Sequence, residues 1–335
     1  MAEERVYDVI VVGAGIVGSY TAYHSCRAGK STCLLEQFPL PNTRGSSHGQ
    51  SRTIRSAYGD KEYYTKMMTK AFRMWRQLEE LSNQTLFKQT GLLCIGQKGI
   101  NYIDETATCL QKNRTPFRRL NDGQLRDTYP MLSFPQDIGG AVLDLSGGLI
   151  LAGRALTAIQ NQYRKLGGLL KDGERMMEII PGKIISVKTE ARLYRAKAVV
   201  LCVGPWASKI LTSIGLDVSL QTQRVKVCYW KEKVKGTFSS RQFPVFSQMN
   251  AVGPYLVYGV PCEEYPELVK NTPDEDYILD RHPSWSNIVI GAGFSGHGFK
   301  LAPVVGEILS KLAIGLTPEE DLSYFRLNRF TKSHL

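Results

Sequence analysis

The chain has 335 residues, of which 43% are hydrophobic and 22% are charged; these are ordinary values for a globular protein and exclude a disordered chain. The formal net charge is +11, but no run of five basic residues occurs. We therefore expect no nucleic-acid partner and favour a basic enzyme that attracts acidic cofactors and carboxylate substrates. No segment approaches the roughly eighteen consecutive apolar residues of a membrane helix, so we expect no membrane partner.

The cysteines and the N-terminus bear on the compartment. None of the seven cysteines forms a Cys-x-x-Cys pair, and several lie in apolar runs. This pattern predicts reduced, mostly buried thiols, with neither a disulfide framework nor a metal site. Residues 1–5 carry charges of both signs and lack the apolar core of a signal peptide.

The N-terminal segment has the pattern of a βαβ unit. The apolar run of residues 7–12 ends at Gly13 and predicts a strand that is buried on both faces, as a parallel sheet requires. From Ile16 the apolar residues recur at helical spacing, with one predicted buried face, and Gly29 is a plausible stop. Residues 32–36 form the second predicted strand.

Further elements predict two domains that exchange chain several times. Buried strands are predicted at residues 198–203 and 287–290, each followed by a glycine, and ligand crevices of parallel sheets lie at such ends. Residues 91–96 and 224–230 fit an antiparallel sheet with one covered face. Residues 301–314 predict a helix that packs in the core.

The loop at residues 13–18 reads Gly-Ala-Gly-Ile-Val-Gly. Its position between a buried strand and a helix makes it a specific signal for a dinucleotide site. Gly13 allows the tight turn, Gly15 lets the backbone approach a pyrophosphate, and Gly18 allows the helix to pack close to the strand. The helix N-terminus supplies N–H groups for phosphates, and Glu36 can accept hydrogen bonds from both ribose hydroxyls. FAD and NAD both use such a loop, so it does not separate the two cofactors.

Three further blocks carry a resemblance to a known family. They are residues 45–58 (GSSHGQSRTIRSAY), 272–280 (TPDEDYILD) and 291–300 (GAGFSGHGFK). These blocks closely resemble the monomeric sarcosine oxidase family, in particular its peroxisomal members, over nearly the whole chain. The resemblance implies an α/β fold in which an FAD-binding Rossmann-like domain is interleaved with a smaller α+β substrate domain with an antiparallel sheet. It also implies FAD-dependent oxidation of a secondary amino acid, sarcosine or L-pipecolate, at the C–N bond, with O2 reduced to H2O2.

The resemblance divides the chain into two discontinuous domains. Residues 1–78, 146–216 and 282–335 are predicted to form the FAD-binding domain. Residues 79–145 and 217–281 are predicted to form the substrate domain, which is truncated relative to the family. We expect a monomer whose partners are a small amino acid and O2.

The residues that match the family's substrate site suit a zwitterionic amino acid. Arg55 and Lys300 match its carboxylate-binding pair, in which an arginine fork gives bidentate geometry and a lysine adds a point charge. Tyr58 and Tyr258 match aromatic residues that line the substrate space, and Gly296 matches a glycine whose backbone meets the substrate. From the residues alone, solvated surface charge is the competing interpretation of the two arginines in block 45–58.

The resemblance also assigns the residues that contact FAD. His48 and Arg52 match positions beside the flavin ring, where positive charge stabilises an anionic reduced flavin, and they are predicted to be catalytic. Residues 204–206 match a second flavin-contact segment. The complete predicted cofactor set is Gly13, Ala14, Gly15, Ile16, Val17, Gly18, Glu36, Gln37, Ser47, His48, Arg52, Gly204, Trp206, Gly293, Gly296, Gly298, Phe299 and Lys300.

Lys270, the third predicted catalytic residue, lies beside a departure from the family. It matches a lysine that sits over the flavin and promotes its reaction with O2 by stabilising negative charge. In the family a long stretch separates this lysine from the block that begins here at Thr272. The stretch is missing here, and with it the cysteine that attaches FAD covalently and an active-site tyrosine. We therefore predict that FAD binds non-covalently.

Three hypotheses about function stay open at this stage. The first is the amino acid oxidase, and the second is a catalytically impaired flavin-binding isoform that lacks part of the active site. The third is an NAD-dependent dehydrogenase built on the same glycine loop. The C-terminal tripeptide Ser333-His334-Leu335 resembles a peroxisomal address and predicts recognition by a peroxisomal import receptor, although such tripeptides also recur by chance.

Overall fold

The structure, a computed structural model, describes residues 5–218, 220, 231–252, 255–261, 269–270, 277–294 and 297–327. The chain divides into two compact units, each assembled from separate segments. The first unit comprises Met1–Gly49, Arg154–Gln223 and Glu275–Leu335, and the second comprises Gln50–Gly153 and Arg224–Asp274. The predicted α/β fold with two interleaved parts is confirmed. The predicted allocation of residues to an FAD domain and a substrate domain stays a prediction.

Within the described residues the chain forms seventeen strands and seven α-helices. The strands are β1 (Val6–Val12), β2 (Thr32–Leu35), β3 (Ser51–Ile54), β4 (Phe87–Lys88), β5 (Leu92–Gln97), β6 (Phe117–Leu120), β7 (Ile138–Asp144), β8 (Gly148–Leu151), β9 (Leu169–Lys171), β10 (Met176–Ile180), β11 (Ile185–Thr189), β12 (Leu193–Leu201), β13 (Val245–Val252), β14 (Tyr255–Pro261), β15 (Val269–Lys270), β16 (Ile278–Arg281) and β17 (Ile288–Ala292). The helices are α1 (Ile16–Arg27), α2 (Glu62–Ser82), α3 (Tyr102–Lys112), α4 (Asp122–Thr128), α5 (Ala152–Lys165), α6 (Ala207–Ser213) and α7 (Gly298–Ala313).

The first unit is built on an eight-stranded sheet. Its parallel part has the order β17, β12, β1, β2, β9, while β16 adds antiparallel to β17 and the β10–β11 hairpin adds antiparallel to the first half of β12. Residues 9–12 of β1, 198–201 of β12 and 288–290 of β17 are continuous apolar runs, because both faces of the sheet are covered there. Val12 lies between Leu35 and Leu201 in register, so β1, β2 and β12 end at one edge of the sheet. The predicted strands at the N-terminus and at residues 198–203 and 287–290 are thereby confirmed.

Helices α1 and α7 pack closely against each other in the first unit. Helix α1 is buried on nearly all sides and not only on the predicted face, and the Oγ atoms of Ser25 and Ser310 are 2.9 Å apart across the contact. A Cβ atom on Gly306 would lie 2.5 Å from Cβ of Tyr20 and 2.8 Å from the backbone nitrogen of Thr21. Because backbone atoms of α1 cannot yield, the absence of a side chain at Gly306 sets the distance between the helices.

Gly306→Ala is expected to lower the free energy of unfolding by about 1–3 kcal/mol, since the added methyl group overpacks the helix contact. The matched control is Gly123→Ala in α4, where a Cβ meets only Asn121 Oδ1 at 3.6 Å. The control is expected to stabilise the protein by up to about 1 kcal/mol through helix propensity. Denaturant unfolding measures the free energy of unfolding of both variants. If both variants were more stable than the wild type, or both less stable, the packing argument would be contradicted.

The second unit contains two sheets. The larger has six strands in the order β15, β14, β13, β5, β7, β6. Its pairs are antiparallel, as predicted, except that β13 runs parallel to β5. A hairpin cannot join parallel strands, and the long stretch of chain between β5 and β13 permits this pairing. The smaller sheet has the order β3, β8, β4. The predicted strand at residues 224–230 lies outside the described residues.

Five of the seven cysteines lie among the described residues. Cys26, Cys33, Cys94, Cys109 and Cys202 are all free thiols, and four of them are buried. In the part of the chain that the structure describes, no group of three or more His, Cys, Asp or Glu side chains could hold a metal ion. No helix among those residues is long and apolar enough to cross a membrane.

Candidate flavin and substrate sites

The glycine loop has the backbone conformation that its sequence requires. Gly13 follows β1 with a φ of +101°, and a Cβ there would lie 2.4 Å from the carbonyl oxygen of Cys202. A Cβ on Gly18 would lie 1.9 Å from the carbonyl oxygen of Gly13. Because both obstacles are backbone atoms, neither glycine can be replaced without moving α1 away from the sheet.

The N-terminus of α1 is open toward a ligand. The hydroxyl oxygen of Ser47 accepts a hydrogen bond from the N–H of Ile16 at 2.9 Å. The N–H groups of Gly15 and Val17 have no hydrogen-bond partner among the described residues. A Cβ on Gly15 would meet only Ser47 Oγ, at 3.0 Å, so this stretch of backbone is bare on its outer side. Unpaired N–H groups at the positive end of a helix fit a pyrophosphate.

Glu36 holds the loop in place from the end of β2. Its Oε2 accepts from the N–H of Ala14 at 2.9 Å, and its Oε1 accepts from Phe38 N–H at 3.1 Å and Asn42 Nδ2 at 3.3 Å. Each carboxylate oxygen has two lone pairs, so Oε2 keeps capacity for a ribose hydroxyl. Burial raises the pKa of this carboxyl against the lowering effect of the backbone N–H groups of Ala14 and Phe38. The loop, the helix and Glu36 therefore fit the ADP half of FAD.

Glu36→Gln is expected to lower the free energy of unfolding by about 1–3 kcal/mol, because an amide NH2 would face a backbone N–H that now has an acceptor. Since burial raises the pKa of Glu36, its contribution to stability is fully present below the ordinary carboxyl pKa and declines as the pH rises through the raised value. The free energies of unfolding of the wild type and of Glu36→Gln should therefore come closer together as the pH rises from about 4 to about 8. A difference in the free energy of unfolding that grows as the pH rises would contradict the raised pKa of Glu36.

Two contacts that the sequence did not reveal support the loop. The carbonyl oxygen of Ala14 accepts from Gln160 Nε2 at 2.9 Å and from Ser19 Oγ at 3.1 Å. Gln160 lies on α5, far along the chain, and Ser47 is similarly remote from the helix that it caps. No local pattern marks such residues, because their partners are fixed only by the tertiary fold.

Other predicted cofactor residues of the first unit lie near this edge of the sheet. Gly204, with a φ of +53°, begins a 3-10 turn that ends at Trp206. The Trp206 ring contacts the ring of Phe38, with centroids 5.5 Å apart, next to half-buried Gln37. His48 is exposed in the loop that carries Ser47. The contacts of these residues with FAD stay predictions.

The start of α7 holds a further group of predicted residues. Gly293 has a φ of +66°, while Gly298, Phe299 and Lys300 form the buried first turn of the helix. Lys300 is 5% exposed, so its ammonium group is not ordinary surface charge. Gly296 lies outside the described residues.

His297, which precedes this turn, is buried and stacks on Tyr277, with ring centroids 4.6 Å apart. This contact packs the imidazole ring against the aromatic side chains of the first unit.

In the second unit Arg55 is a charged group without a countercharge. It directly follows β3, its Nε is buried without a hydrogen bond, and it has no carboxylate partner among the residues that the structure describes. Its Cζ lies 4.8 Å from the centre of the Tyr58 ring. Burial lowers the pKa of Arg55, but the neighbouring Tyr102, Tyr58 and Cys94 outweigh burial and raise it, so the guanidinium stays charged. A partly buried cation that lacks a carboxylate partner among the described residues fits an anionic ligand.

Tyr258 belongs to a row of side chains across three strands near Arg55. Ser247 on β13 is in register with Cys94 on β5 and with Tyr258 on β14, and Ser247 Oγ is 3.8 Å from Cys94 Sγ. Residues in register across neighbouring strands point to the same face of a sheet. Burial raises the pKa of the Cys94 thiol to about 11, so the thiol is neutral. The sequence predicted Tyr58 and Tyr258, but it gave no sign of Cys94, Ser247 or Tyr102.

The structure describes some of the surroundings of two predicted catalytic residues of the second unit, Arg52 and Lys270. Arg52 lies on β3, partly buried, and its Nη1 donates to the carbonyl oxygen of Ser51 at 2.8 Å. Lys270 ends β15, where it is in register with Val260. Residues 271–276, at the junction after Lys270, lie outside the described residues. The catalytic roles of Arg52 and Lys270 stay predictions.

A glycine loop shaped for a pyrophosphate at the edge of a parallel sheet is typical of a dinucleotide-dependent enzyme. The chain belongs to the family described as FAD dependent oxidoreductase (DAO), which matches residues 8–264. The cofactor is therefore FAD, and the hypothesis of an NAD-dependent dehydrogenase is wrong. The relatives that the chain resembles do not support the hypothesis of a catalytically impaired flavin-binding isoform.

Curated relatives carry the resemblance along the whole chain. The chain is 41% identical to the peroxisomal sarcosine oxidase of Homo sapiens, with 100% of both chains covered. It is 28% identical to the monomeric sarcosine oxidase of Arthrobacter sp. (strain TE1826), with 98% of each covered. The human alignment runs over 391 positions, which exceeds the 335 residues of this chain, so that relative has residues without a counterpart here.

Solved structures share the fold. NikD, described as an unusual amino acid oxidase essential for nikkomycin biosynthesis, superposes with a TM-score of 0.83 at 22% identity, covering 97% of this chain and 98% of that chain. L-Proline dehydrogenase from P. horikoshii superposes with a TM-score of 0.81 at 18% identity, covering 99% of this chain and 100% of that chain. These two likenesses establish the architecture of the chain.

Proposed function

We propose that this protein oxidises a secondary amino acid, sarcosine or L-pipecolate, at its C–N bond, with O2 reduced to H2O2. The observation that carries the proposal is Arg55, a partly buried arginine whose buried Nε has no hydrogen bond and which has no carboxylate partner among the described residues. A substrate carboxylate supplies the missing countercharge and can accept two parallel hydrogen bonds from the fork. The names of the sarcosine oxidase relatives support the same substrate class.

The chain's own residues bind and orient the substrate in this proposal. Arg55 binds the carboxylate, and Lys300 is the second cation that the family resemblance assigns to it. Tyr58 and Tyr258 present aromatic surface to the apolar part of the amino acid; Tyr58 is 6% exposed, so its ring also excludes water. Fixing the carboxylate orients the carbon next to nitrogen, which lowers the entropy cost of reaching the reactive geometry.

The residues around the glycine loop hold the cofactor. The N–H groups at the start of α1 would bind the pyrophosphate, and Glu36 would bind the ribose of the adenosine half. When bound, FAD supplies the two-electron acceptor for the amino acid and passes the electrons on to O2. His48, Arg52 and Lys270 are proposed to place positive charge beside the bound cofactor, where it would favour negative charge on the ring.

The decisive experiment measures peroxide formation. Purified protein loaded with FAD is incubated with sarcosine or L-pipecolate, and H2O2 and O2 consumption are followed. We expect equal amounts of O2 consumed and H2O2 formed, and little product from sarcosinamide, which lacks the carboxylate. FAD-loaded protein that forms no peroxide from either amino acid would overturn the proposal.

Non-covalent attachment of FAD is a separate part of the proposal. The family cysteine that forms the covalent bond has no counterpart in this sequence, as judged from the stretch missing after Lys270. Acid precipitation of the yellow protein is therefore expected to leave the flavin in the supernatant. Yellow colour in the pellet would contradict this part alone.

Location in the peroxisome is proposed from Ser333-His334-Leu335, which lies outside the described residues, and from the peroxisomal relatives. The tripeptide would be bound by the import receptor while the protein travels as a monomer. A fluorescent fusion that keeps this C-terminus free should co-localise with a peroxisomal marker. Removal of residues 333–335 should leave it diffuse, and unchanged targeting would contradict a role for the tripeptide.

A further inference from the structure

Asp144 is a buried carboxylate for which neither the sequence pattern nor the proposed chemistry accounts. It ends β7, is fully buried, and has no ion pair with the residues that the structure describes. Burying a carboxylate without a cation is costly unless several hydrogen bonds compensate. Asp144 accepts four hydrogen bonds, and their donors show which parts of the unit it joins.

Two of these bonds hold the segment that carries the predicted substrate residues. Asp144 Oδ2 accepts from the N–H of Ser56 at 2.6 Å and from the N–H of Ala57 at 3.1 Å. Ser56 and Ala57 are the two residues between Arg55 and Tyr58. The carbonyl oxygen of Ser56 in turn accepts from Thr65 Oγ1 at 2.8 Å. The backbone between the cation and the aromatic ring is thus fixed on both its donor and its acceptor side.

The other oxygen ties the same carboxylate to the turn between β7 and β8. Asp144 Oδ1 accepts from Ser146 N at 2.9 Å and from Ser146 Oγ at 2.6 Å, which forms an Asx turn. Strand β8 then pairs with β3, whose last residue directly precedes Arg55, and Ile54 is in register with Gly148. Asp144 therefore connects the turn between β7 and β8 to the backbone that follows β3.

We propose that Asp144 is a positioning residue for substrate recognition, which holds Arg55 in the orientation that receives the substrate carboxylate. This inference rests on the proposed function. Asp144 need not touch the substrate, because it acts through the backbone of Ser56 and Ala57. A residue of this kind changes the binding of carboxylate-bearing substrates much more than the chemistry of a substrate without a carboxylate.

The test is Asp144→Asn, which keeps the size but replaces one acceptor oxygen with an NH2 group. We expect KM for sarcosine or L-pipecolate to rise about 10- to 100-fold with little change in kcat. The low turnover of sarcosinamide should stay within about twofold. Amide exchange at Ser56 and Ala57 should accelerate by a similar 10- to 100-fold, since their shared acceptor changes from a charged carboxylate oxygen to a neutral amide oxygen or is replaced by the NH2 group. The matched control is Asp127→Asn on the exposed face of α4, which should change none of these values.

A double-mutant cycle separates positioning from general stability. In an Arg55→Met background, Asp144→Asn should have no further effect on KM, because the group that it positions is gone. Additive effects, or equal losses with sarcosinamide, would overturn the inference and leave only a structural role. If Asp144→Asn does not fold, Ser146→Ala removes a single donor and should raise KM about threefold. Wild-type protein without any turnover would instead refute the proposed function, so the two failures are distinguishable.

Discussion

Arg55→Met is expected to lower kcat/KM for sarcosine and L-pipecolate by about 10²- to 10³-fold, equivalent to about 3–4 kcal/mol. Removal of the guanidinium leaves the substrate carboxylate in a partly buried site without its bidentate partner. Because the interaction is the same in the ground state and the transition state, most of the loss should appear in KM. Steady-state kinetics with FAD-saturated protein measures both parameters.

The size of this effect depends on the fork as well as on the charge. Arg55→Lys keeps a cation but loses the parallel N–H pair and the stacking on Tyr58, so it should recover only part of the loss. The raised pKa of Arg55 keeps the guanidinium charged across the accessible range, so its deprotonation adds no step to the pH profile of KM. The control is Arg118→Met on exposed β6, which should leave kinetics unchanged. Wild-type KM in Arg55→Met would mean that another group receives the carboxylate.

The elements that the sequence predicts well are those whose pattern is local. The parallel strands β1, β2 and β17 consist mainly of apolar residues. The glycine spacing at residues 13–18 follows from close backbone contacts around one turn. Strand β12 shows where this reasoning ends. Its buried second half matches the predicted strand at 198–203, whereas its first half alternates between exposed and buried residues because β11 pairs there. The strand therefore begins at Leu193, earlier than the apolar run indicates.

The residues that the sequence did not reveal have partners from distant segments. Asp144 follows an ordinary strand and is conspicuous only once its oxygens are seen to bind Ser56 and Ala57. Cys94 and Ser247 become neighbours because β5 and β13 pair in parallel, which no local pattern specifies. Arg55 was found through family resemblance, but its lack of a countercharge became visible only in the folded chain. The surroundings of the proposed substrate site therefore depend on contacts between distant segments, which the order of strands in the sheet brings together.

Gly15→Ala is expected to weaken FAD binding at least about 100-fold while the apoprotein keeps its stability within about 1 kcal/mol. The added methyl group meets only Ser47 Oγ, at 3.0 Å, a side-chain atom that can move by a few tenths of an ångström. It would, however, stand on the bare face of the loop, where the pyrophosphate must come close to the N–H groups of Gly15 and Val17. Flavin fluorescence titration gives the affinity, and denaturant unfolding of the apoprotein gives the stability.

Two comparisons make this prediction specific. Gly18→Ala places its methyl group 1.9 Å from the carbonyl oxygen of Gly13, so it should damage the fold itself and lower apoprotein stability. Gly123→Ala on α4 should change neither FAD affinity nor the loop. If Gly15→Ala bound FAD as tightly as the wild type, the pyrophosphate would not lie against this backbone, and the assignment of the loop as the phosphate site would be wrong. Loss of affinity with an intact fold would separate the cofactor role of Gly15 from the packing role of Gly18, although both belong to one motif.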